Sequence, residues 1–225
     1  MPTRTPLRRD AAANRERILE AARRLFFERG LEASMDEVAR AAGVGAATLY
    51  RRFPTKQVLL DAILGDVLER FHTFLLEALR EEDAFGGLEL LLQRSVRLQL
   101  ENRAFLEVMA LRLQDEPQLA AARERIRPLI EKLVAKAQSQ GTLRPDFAPS
   151  DLQVLLWELG RVVDTTGACA PELWRRYLAL AVDGLRADAA RPLPHPPPTS
   201  AQLDQAMAEA AERRGLGGER SPRGT

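Results

Sequence analysis

The sequence contains few of the residues on which many enzymes depend. Among its 225 residues are one cysteine and two histidines, and one of these, His195, lies inside a proline-rich stretch. A histidine-based catalytic triad or a His/Cys metal site therefore has almost no suitable residues. The acidic residues are spread over predicted helix faces, as solvated charges usually are. We expect no enzymatic activity, no cofactor and no metal ion.

A single cysteine excludes an intrachain disulfide bond, and we expect Cys169 to be a small core residue. The sequence has no apolar run of the roughly twenty residues needed to cross a bilayer. The charged N-terminus, MPTRTPLRRD, is not followed by the apolar segment of a secretory signal. We expect a cytoplasmic protein with no membrane partner.

Alternating β-strand patterns are also missing, and helical periodicity runs through most of the chain. We predict an all-α fold in which Gly, Pro and Asn, for example Gly86-Gly87, separate the helices. The predicted helices cover residues 14–29, 35–42, 46–53, 56–81, 86–101, 103–114, 117–140, 150–167 and 172–188.

Basic residues are concentrated at the N-terminal end. The net charge of the sequence is +1, but residues 1–56 hold twelve Lys and Arg against seven Asp and Glu, and the other 169 residues hold 21 against 25. A polyanionic partner would therefore be attracted to this end of the molecule.

Two glycines interrupt the helical pattern in RAAGVGAATLYRRF, residues 40–53. A phosphate-binding loop would need a third glycine after a strand, or a Gly-Lys-Ser/Thr sequence, and neither is present. A helix-turn-helix fits better, because Gly43 can take the positive φ of the turn and the small Ala39 lets the two helices cross closely. Ser34 and Glu37 form the capping-box pattern that starts the first of these helices.

The second helix of the pair has one apolar face. At about 100° per residue, Leu49 and Phe53 point to the core, and Pro54 ends the helix. Thr55 is expected to cap the next helix. Such a second helix enters the major groove of DNA in helix-turn-helix proteins.

Its other face is suited to DNA. Small residues bring the helix close to base edges, and Arg51 can make a bidentate contact with guanine. Thr48, Tyr50 and Lys56 are better suited to phosphates, and Arg52 can serve either purpose. The alternative is that Tyr50 is half-buried core and that the basic side chains are merely solvated.

The run LFFERGLEASMDEVARAAGVGAATLYRRFPTKQVLLDAI, residues 25–63, resembles the N-terminal domain of TetR-type transcriptional repressors. The matching features are Phe-x-x-x-Gly at the end of the first helix, Val-Ala-x-x-Ala-Gly-Val in the second, and Leu-Tyr-x-x-Phe-x-x-Lys in the recognition helix. Ser34 stands where threonine is commoner, and it keeps the capping chemistry. The predicted DNA-binding residues are Ser34, Gly45, Ala46, Ala47, Thr48, Tyr50, Arg51, Arg52 and Lys56.

The resemblance implies a homodimeric repressor that binds a near-palindromic operator in double-stranded DNA and is released by a small molecule. We expect a flexible basic arm at residues 1–13, a DNA-binding domain at 14–57, a ligand-binding and dimerisation domain at 58–190, and a disordered tail at 191–225 with at most one loose helix. GTLRPDFAPSDL, residues 141–152, resembles the family's link into the last two helices. An activator on the same fold and a helical adaptor that binds other proteins remain alternatives.

Two further residue sets follow for the second domain. Bulky or polar residues on its helical faces are candidates for the ligand pocket, although each also fits ordinary core or surface: Phe71, Phe74, Phe105, Met109, Leu113, Trp157, Arg161 and Asp164. Apolar residues of the last two helices are candidates for the dimer interface: Leu152, Leu156, Leu159, Val163, Tyr177 and Leu180.

Overall fold

The structure is a computed structural model that describes residues 6–29, 32–102, 117–188 and 190–213. Within these ranges the fold is all-α, as predicted, and β-structure is confined to an isolated bridge between Leu143 and Arg186. The helix predicted at 103–114 lies outside the described residues. Among the described helices, none combines the length and the apolar character that a bilayer span requires.

The helices of the described ranges are numbered here in chain order. Their bounds are α1 Pro6–Arg29, α2 Met35–Ala41, α3 Ala46–Arg52, α4 Lys56–Arg80, α5 Ala84–Glu101, α6 Pro117–Ser139, α7 Pro149–Thr166, α8 Leu173–Leu185 and α9 Ser200–Arg213.

The chain divides into two compact units. The first holds the described residues up to Leu68, together with Glu101 and Asn102, and the second holds residues 69–100 and the described residues from 117 onward. The division falls inside α4, which contributes its first half to one unit and its second half to the other. The domain limits given above remain predictions.

The first unit is organised around the apolar stripes of α1 and the first half of α4. Phe26 on α1 and Leu59 and Ile63 on α4 are fully buried. α1 packs on α2, and α2 packs on α3. Leu49 of α3 joins the same core, so the short helices α2 and α3 depend on tertiary packing for their stability.

In the second unit α6 packs on α7, and α7 packs on α8. The core contains Leu91, Leu92, Leu133 and Trp174. Gly141, in the left-handed region at φ +68°, ends α6 and leads into the link before α7. Arg144 of that link is buried and donates to the carbonyl oxygen of Gly184 at 3.0 Å.

The prediction that Gly86-Gly87 separates two helices is wrong, because both glycines lie inside α5. The helix starts earlier, at Ala84, where the carboxylate of Asp83 accepts the amide of Phe85 at 3.0 Å. Gly87 has a packing role: a Cβ at this position would lie 2.5 Å from the carbonyl oxygen of Ala78 on α4. The absence of a side chain therefore lets α4 and α5 approach closely.

The first helix begins at Pro6 rather than at Asn14, so the basic arm predicted for residues 1–13 is helical from Pro6. Proline is favoured in the first turn of a helix, where its missing N–H is not needed. Ala11, Ala12 and Ala13 have the highest helix propensity of any residue type, and the prediction gave too little weight to both facts.

The tail, predicted to be disordered with at most one loose helix, contains the helix α9. α9 begins with a capping box in which the Thr199 hydroxyl accepts the Gln202 amide at 3.2 Å and the Gln202 side chain accepts the Thr199 amide at 2.9 Å. Leu203 is buried. The sequence Thr-x-x-Gln carries this signal, which the neighbouring prolines obscured. Residues 214–225 lie outside the described ranges.

Cys169 is exposed, which corrects the expectation of a core residue. It lies in the turn after α7, where its amide donates to the carbonyl oxygen of Thr166 at 3.0 Å. The turn holds the backbone and leaves the thiol at the surface.

Candidate nucleic-acid interface

The capping box predicted at the start of α2 is present. The Ser34 hydroxyl accepts the Glu37 amide at 3.2 Å, and the Glu37 carboxylate accepts the Ser34 amide at 2.8 Å. The Ser34 hydroxyl also donates to the Glu37 carboxylate at 3.0 Å. The bonds that this carboxylate accepts from the Ser34 amide and hydroxyl are the main reason that the pKa of Glu37 is lowered, and the nearby Arg29 acts in the same direction. Ser34 therefore fixes the first turn of α2.

The turn between α2 and α3 also follows the prediction. Gly43 has φ +64°, a conformation that costs other residues free energy because of their Cβ. The amide of Val44 donates to the carbonyl oxygen of Ala39 at 3.0 Å, which closes the end of α2. Ala39 is buried, as expected for the small residue at a close helix crossing.

Gly45, in extended conformation, precedes α3 as its N-cap. Leu49 and Phe53 are buried, which confirms the predicted core face of the helix. The side chains on the other face are exposed, and Thr48 is half-buried. The exposed set is Ala46, Ala47, Tyr50, Arg51 and Arg52.

Tyr50 tests one part of the alternative interpretation of this face. Its side chain is 43% exposed, so it is not a core residue. α3 thus presents small side chains, one hydroxyl-bearing ring and two guanidinium groups on one surface. The role of each side chain in DNA binding stays a prediction.

Lys56 lies at the start of α4, directly after α3. Its ammonium group is 5.7 Å from the centre of the Phe26 ring on α1, a distance at which a cation is attracted to an aromatic face. The Thr55 hydroxyl accepts the Val58 amide at 3.2 Å, so the predicted cap of this helix is confirmed. Lys56 is therefore held against α1 in the first turn of α4.

Two ion pairs in this unit were not predicted from the sequence. Arg29 at the end of α1 lies 2.6 Å from the Glu37 carboxylate, and Arg23 lies 2.6 Å from the Asp66 carboxylate on α4. A signal for the second pair exists, since both residues adjoin the apolar stripes of their helices. The ion pairs tie α1 to α2 and to α4.

The residues predicted for a ligand pocket have mixed environments. Phe71, Phe74, Trp157 and Asp164 are half-buried, and Arg161 is exposed. Phe74 lies under the guanidinium group of Arg94, 5.5 Å from its ring centre. Phe105, Met109 and Leu113 lie outside the described residues. These assignments stay predictions.

A shallow depression of about 80 Å³ lies between α5 and α8, well below the roughly 300 to 1,000 Å³ of most ligand sites. None of the predicted pocket residues lines it. Its lining consists of Glu89, Gln93, Trp174, Arg175, Leu178 and Ala179.

Half of the predicted dimer residues are corrected. Leu152, Leu159 and Val163 are no more than 3% exposed within a single chain, so they are core residues of α7. Amphipathic spacing identifies the buried face of a helix but not whether the same chain or a second one covers it. Leu156 is half-buried, and Tyr177 and Leu180 on α8 are exposed.

Two family models match the chain. Residues 18–63 match the model of bacterial regulatory proteins of the tetR family. Residues 86–187 match the model of the C-terminal domain of SbtR-like transcriptional regulators. The first match contains the helix-turn-helix, and the second contains most of the second unit.

Solved structures give a similarity over most of the chain. The TetR transcription regulatory protein from Mycobacterium vanbaalenii is 34% identical, with coverage of 80% of this chain and 99% of that protein at a TM-score of 0.59. A TetR transcriptional regulator from Streptomyces coelicolor is 28% identical, with coverage of 78% and 99% and the same TM-score of 0.59.

Curated relatives agree over a shorter length. An HTH-type transcriptional regulator of Staphylococcus aureus (strain USA300) is 33% identical over 105 residues, which span 45% of this chain and 56% of the relative. The chain thus matches little more than half the length of this relative. With the nearly complete coverage of the mycobacterial structure and the two family models, the chain belongs to the TetR family of transcriptional regulators.

Proposed function

We propose that this chain is a sequence-specific DNA-binding repressor that acts as a homodimer and leaves its operator when a small molecule binds. The observation that carries the proposal is the composition of α3. Leu49 is the residue that this helix buries, whereas Ala46, Ala47 and Arg51 are exposed. A helical adaptor would not need this set of side chains beside a capped α2 and a lysine at the start of α4.

Each exposed side chain has a distinct role in the proposal. The alanines let α3 approach the floor of the major groove, where their methyl groups can contact thymine methyls. Arg51 reads guanine, and Arg52 contacts either a base or a phosphate. Thr48, Tyr50 and Lys56 hold phosphates and set the position of the helix without reading sequence.

The helix-turn-helix unit in one chain reads too few base pairs for a useful specificity ratio, so two copies are needed. Tyr177 and Leu180 are 46% and 57% exposed and lie about one turn apart on α8, so that they form an exposed apolar patch of the kind that marks an interaction surface. Together with Leu156 they form the proposed dimer contact. A two-fold dimer binds a near-palindromic operator.

The second unit is proposed to bind the effector. Phe71, Phe74, Trp157, Arg161 and Asp164, with Phe105, Met109 and Leu113, remain the candidates for its contacts. The effector must bind the DNA-incompetent state more tightly, and DNA must weaken effector binding by the same factor. As a regulator of bacterial type, the protein would act in the cytoplasm, where the chromosome is.

Selection of bound duplexes from random DNA tests the proposal. A repressor of this kind should enrich a near-palindrome. The logarithm of its binding constant should fall steeply and linearly with the logarithm of the salt concentration. Recovery of no preferred sequence would count against sequence-specific regulation. Small molecules that raise the melting temperature should then be tested for release of the selected duplex.

A further inference from the structure

Arg23 and Asp66 are charged residues that adjoin buried apolar side chains of their helices. Arg23 also lies 3.6 Å from the exposed Glu16 carboxylate on its own helix. Arg23 lies on the same face of α1 as Leu19, Ala22 and Phe26, all of which are buried. A charge on a core-facing stripe is costly unless it has a partner. The solubility of α1 therefore does not explain why a charged residue occurs at position 23.

Asp66 on α4 has the same kind of position. It follows the buried Ile63 by three residues, and the buried Val67 comes directly after it. The side chain of Asp66 is 28% exposed and that of Arg23 is 14% exposed, with 2.6 Å between Oδ2 and Nη2. The pair is largely shielded from solvent, so salt and water weaken it less than a surface pair.

The pair is not arranged for maximum stability. The Nε atom of Arg23 is buried and has no hydrogen-bond partner in the described part of the chain, which costs free energy. Apolar side chains of similar volume often replace such a pair without loss of stability. The directional contact between Arg23 and Asp66 therefore supplies orientation between α1 and α4.

The pair also occupies a particular place along α4. Asp66 lies just before Leu68, where α4 passes from the first unit to the second. At its other end α1 is joined to α2 by Arg29 and Glu37, 2.6 Å apart. Glu37 in turn holds Ser34 in the capping box. Charged contacts thus connect α4 to α1 and α1 to the helix that precedes α3.

We propose that Arg23 and Asp66 are positioning residues for DNA binding: their ion pair fixes α4 against α1 at the angle at which α3 and Lys56 fit one stretch of duplex together. This inference rests on the proposed function. Without the pair, the unit still folds, but α1 and α4 can rock against each other. The loss then falls on specific binding, which needs all contacts in register.

The double variant Arg23→Met/Asp66→Leu tests the proposal, because it removes the pair, keeps the net charge and keeps an apolar contact. Its melting temperature and its affinities for two duplexes are measured: the duplex selected by the wild-type protein and a scrambled duplex of equal length. The control is Arg127→Gln/Glu124→Gln, which removes an exposed ion pair of 3.1 Å on α6.

We expect the double variant to melt at or above the wild-type temperature and to lose affinity for the selected duplex by about tenfold or more. Affinity for the scrambled duplex should change by less than about threefold, because the phosphate-binding charges are retained. The exchanged pair Arg23→Asp/Asp66→Arg, combined with Glu16→Gln because the Glu16 carboxylate lies 3.6 Å from Arg23, should recover part of the specific affinity. The α6 control should match the wild type in all three measurements.

Wild-type affinity of the double variant for the selected duplex would overturn the inference. So would a parallel loss for both duplexes that follows a lower melting temperature, because that result assigns the pair a purely structural role. If the wild-type protein does not distinguish the two duplexes at all, the proposed function fails, and the two failures are thereby separated.

Discussion

The guanidinium group of Arg144 binds both carboxylate oxygens of Asp146, with Nε 2.6 Å from Oδ1 and Nη2 3.2 Å from Oδ2. Arg144 also donates to the carbonyl oxygens of Gly184 and Arg191, and the Leu193 amide donates to Asp146 at 2.9 Å. The pair thus joins the link before α7, the end of α8 and the start of the C-terminal segment. Without Asp146, the buried guanidinium group of Arg144 would lack the opposite charge that offsets its burial.

The first prediction concerns acid stability. Hydrogen bonds from Arg144 and then from the Leu193 amide lower the pKa of Asp146 to about 2, from an ordinary value of 3.8. Because the pKa is lowered on folding, the carboxylate stabilises the fold above about pH 4 and loses this effect as the pH falls through about 2.

Asp146→Asn should therefore be less stable than the wild type at neutral pH, and the difference should shrink as the pH is lowered from about 4 to about 2. Urea denaturation followed by circular dichroism at several pH values measures the two curves. A difference that stays constant over this range would mean that the charge of Asp146 contributes nothing.

The second prediction concerns the crossing of α4 and α5. Gly87→Ala would place a Cβ 2.5 Å from the Ala78 carbonyl oxygen, and the backbone shift should cost about 1 to 3 kcal/mol of unfolding free energy. Gly65→Ala is the matched control, because it lies inside α4 and has no atom within 4 Å of a Cβ. It should gain about 0.5 to 1 kcal/mol through helix propensity.

Chemical denaturation measures the unfolding free energy of both variants. Equal effects of Gly65→Ala and Gly87→Ala would show that propensity alone governs these positions and that close packing at Gly87 is unimportant. Opposite signs are the expected result.

Local rules were sufficient to predict most of the DNA-binding unit. A capping box such as Ser34 with Glu37, and a turn glycine such as Gly43, depend on residues within a few positions of each other. The core face of α3 follows from the spacing of Leu49 and Phe53. The structure contains these features because the residues that produce each of them lie within one short segment of the chain.

The features that were missed depend on distant parts of the chain. The sequence indicates a helix breaker at Gly87, whereas in the structure this glycine lets the carbonyl group of Ala78 on α4 approach closely. No local pattern indicates the burial of Arg144, since its partners include backbone oxygens of residues 184 and 191. The burial of Leu152 by its own chain is a similar case, because periodicity does not identify what covers an apolar face.

The third prediction separates base recognition from phosphate binding. Arg51→Ala should cost about 1 to 3 kcal/mol of binding free energy and relax the preference at one position in each half-site. Lys56→Ala should weaken binding to all sequences and reduce the salt slope by about one. Selection from random DNA and salt titrations measure both effects.

The exposed Arg40 on α2 gives a charge-matched control for these variants, since Arg40→Ala removes one positive charge outside α3. Equal and sequence-independent losses for Arg51→Ala, Lys56→Ala and Arg40→Ala would contradict the assignment of Arg51 to a base.

The fourth prediction concerns dimerisation through α8. Tyr177 and Leu180 are exposed large apolar side chains in one chain, and a self-complementary contact would bury both twice about a two-fold axis. Leu180→Glu places a charge in that contact, where like charges from the two copies meet. Because the position is exposed in the single chain, the variant should keep the wild-type secondary structure and remain folded as a monomer. Sedimentation at micromolar concentration should detect this change, and affinity for the selected palindrome should fall with it.

Leu76→Glu is the control, since Leu76 is exposed on α4 and lies outside the proposed contact, so that variant should stay dimeric. A wild-type chain that sediments as a monomer under these conditions, or a Leu180→Glu variant that remains a dimer, would exclude this face of α8 as the interface.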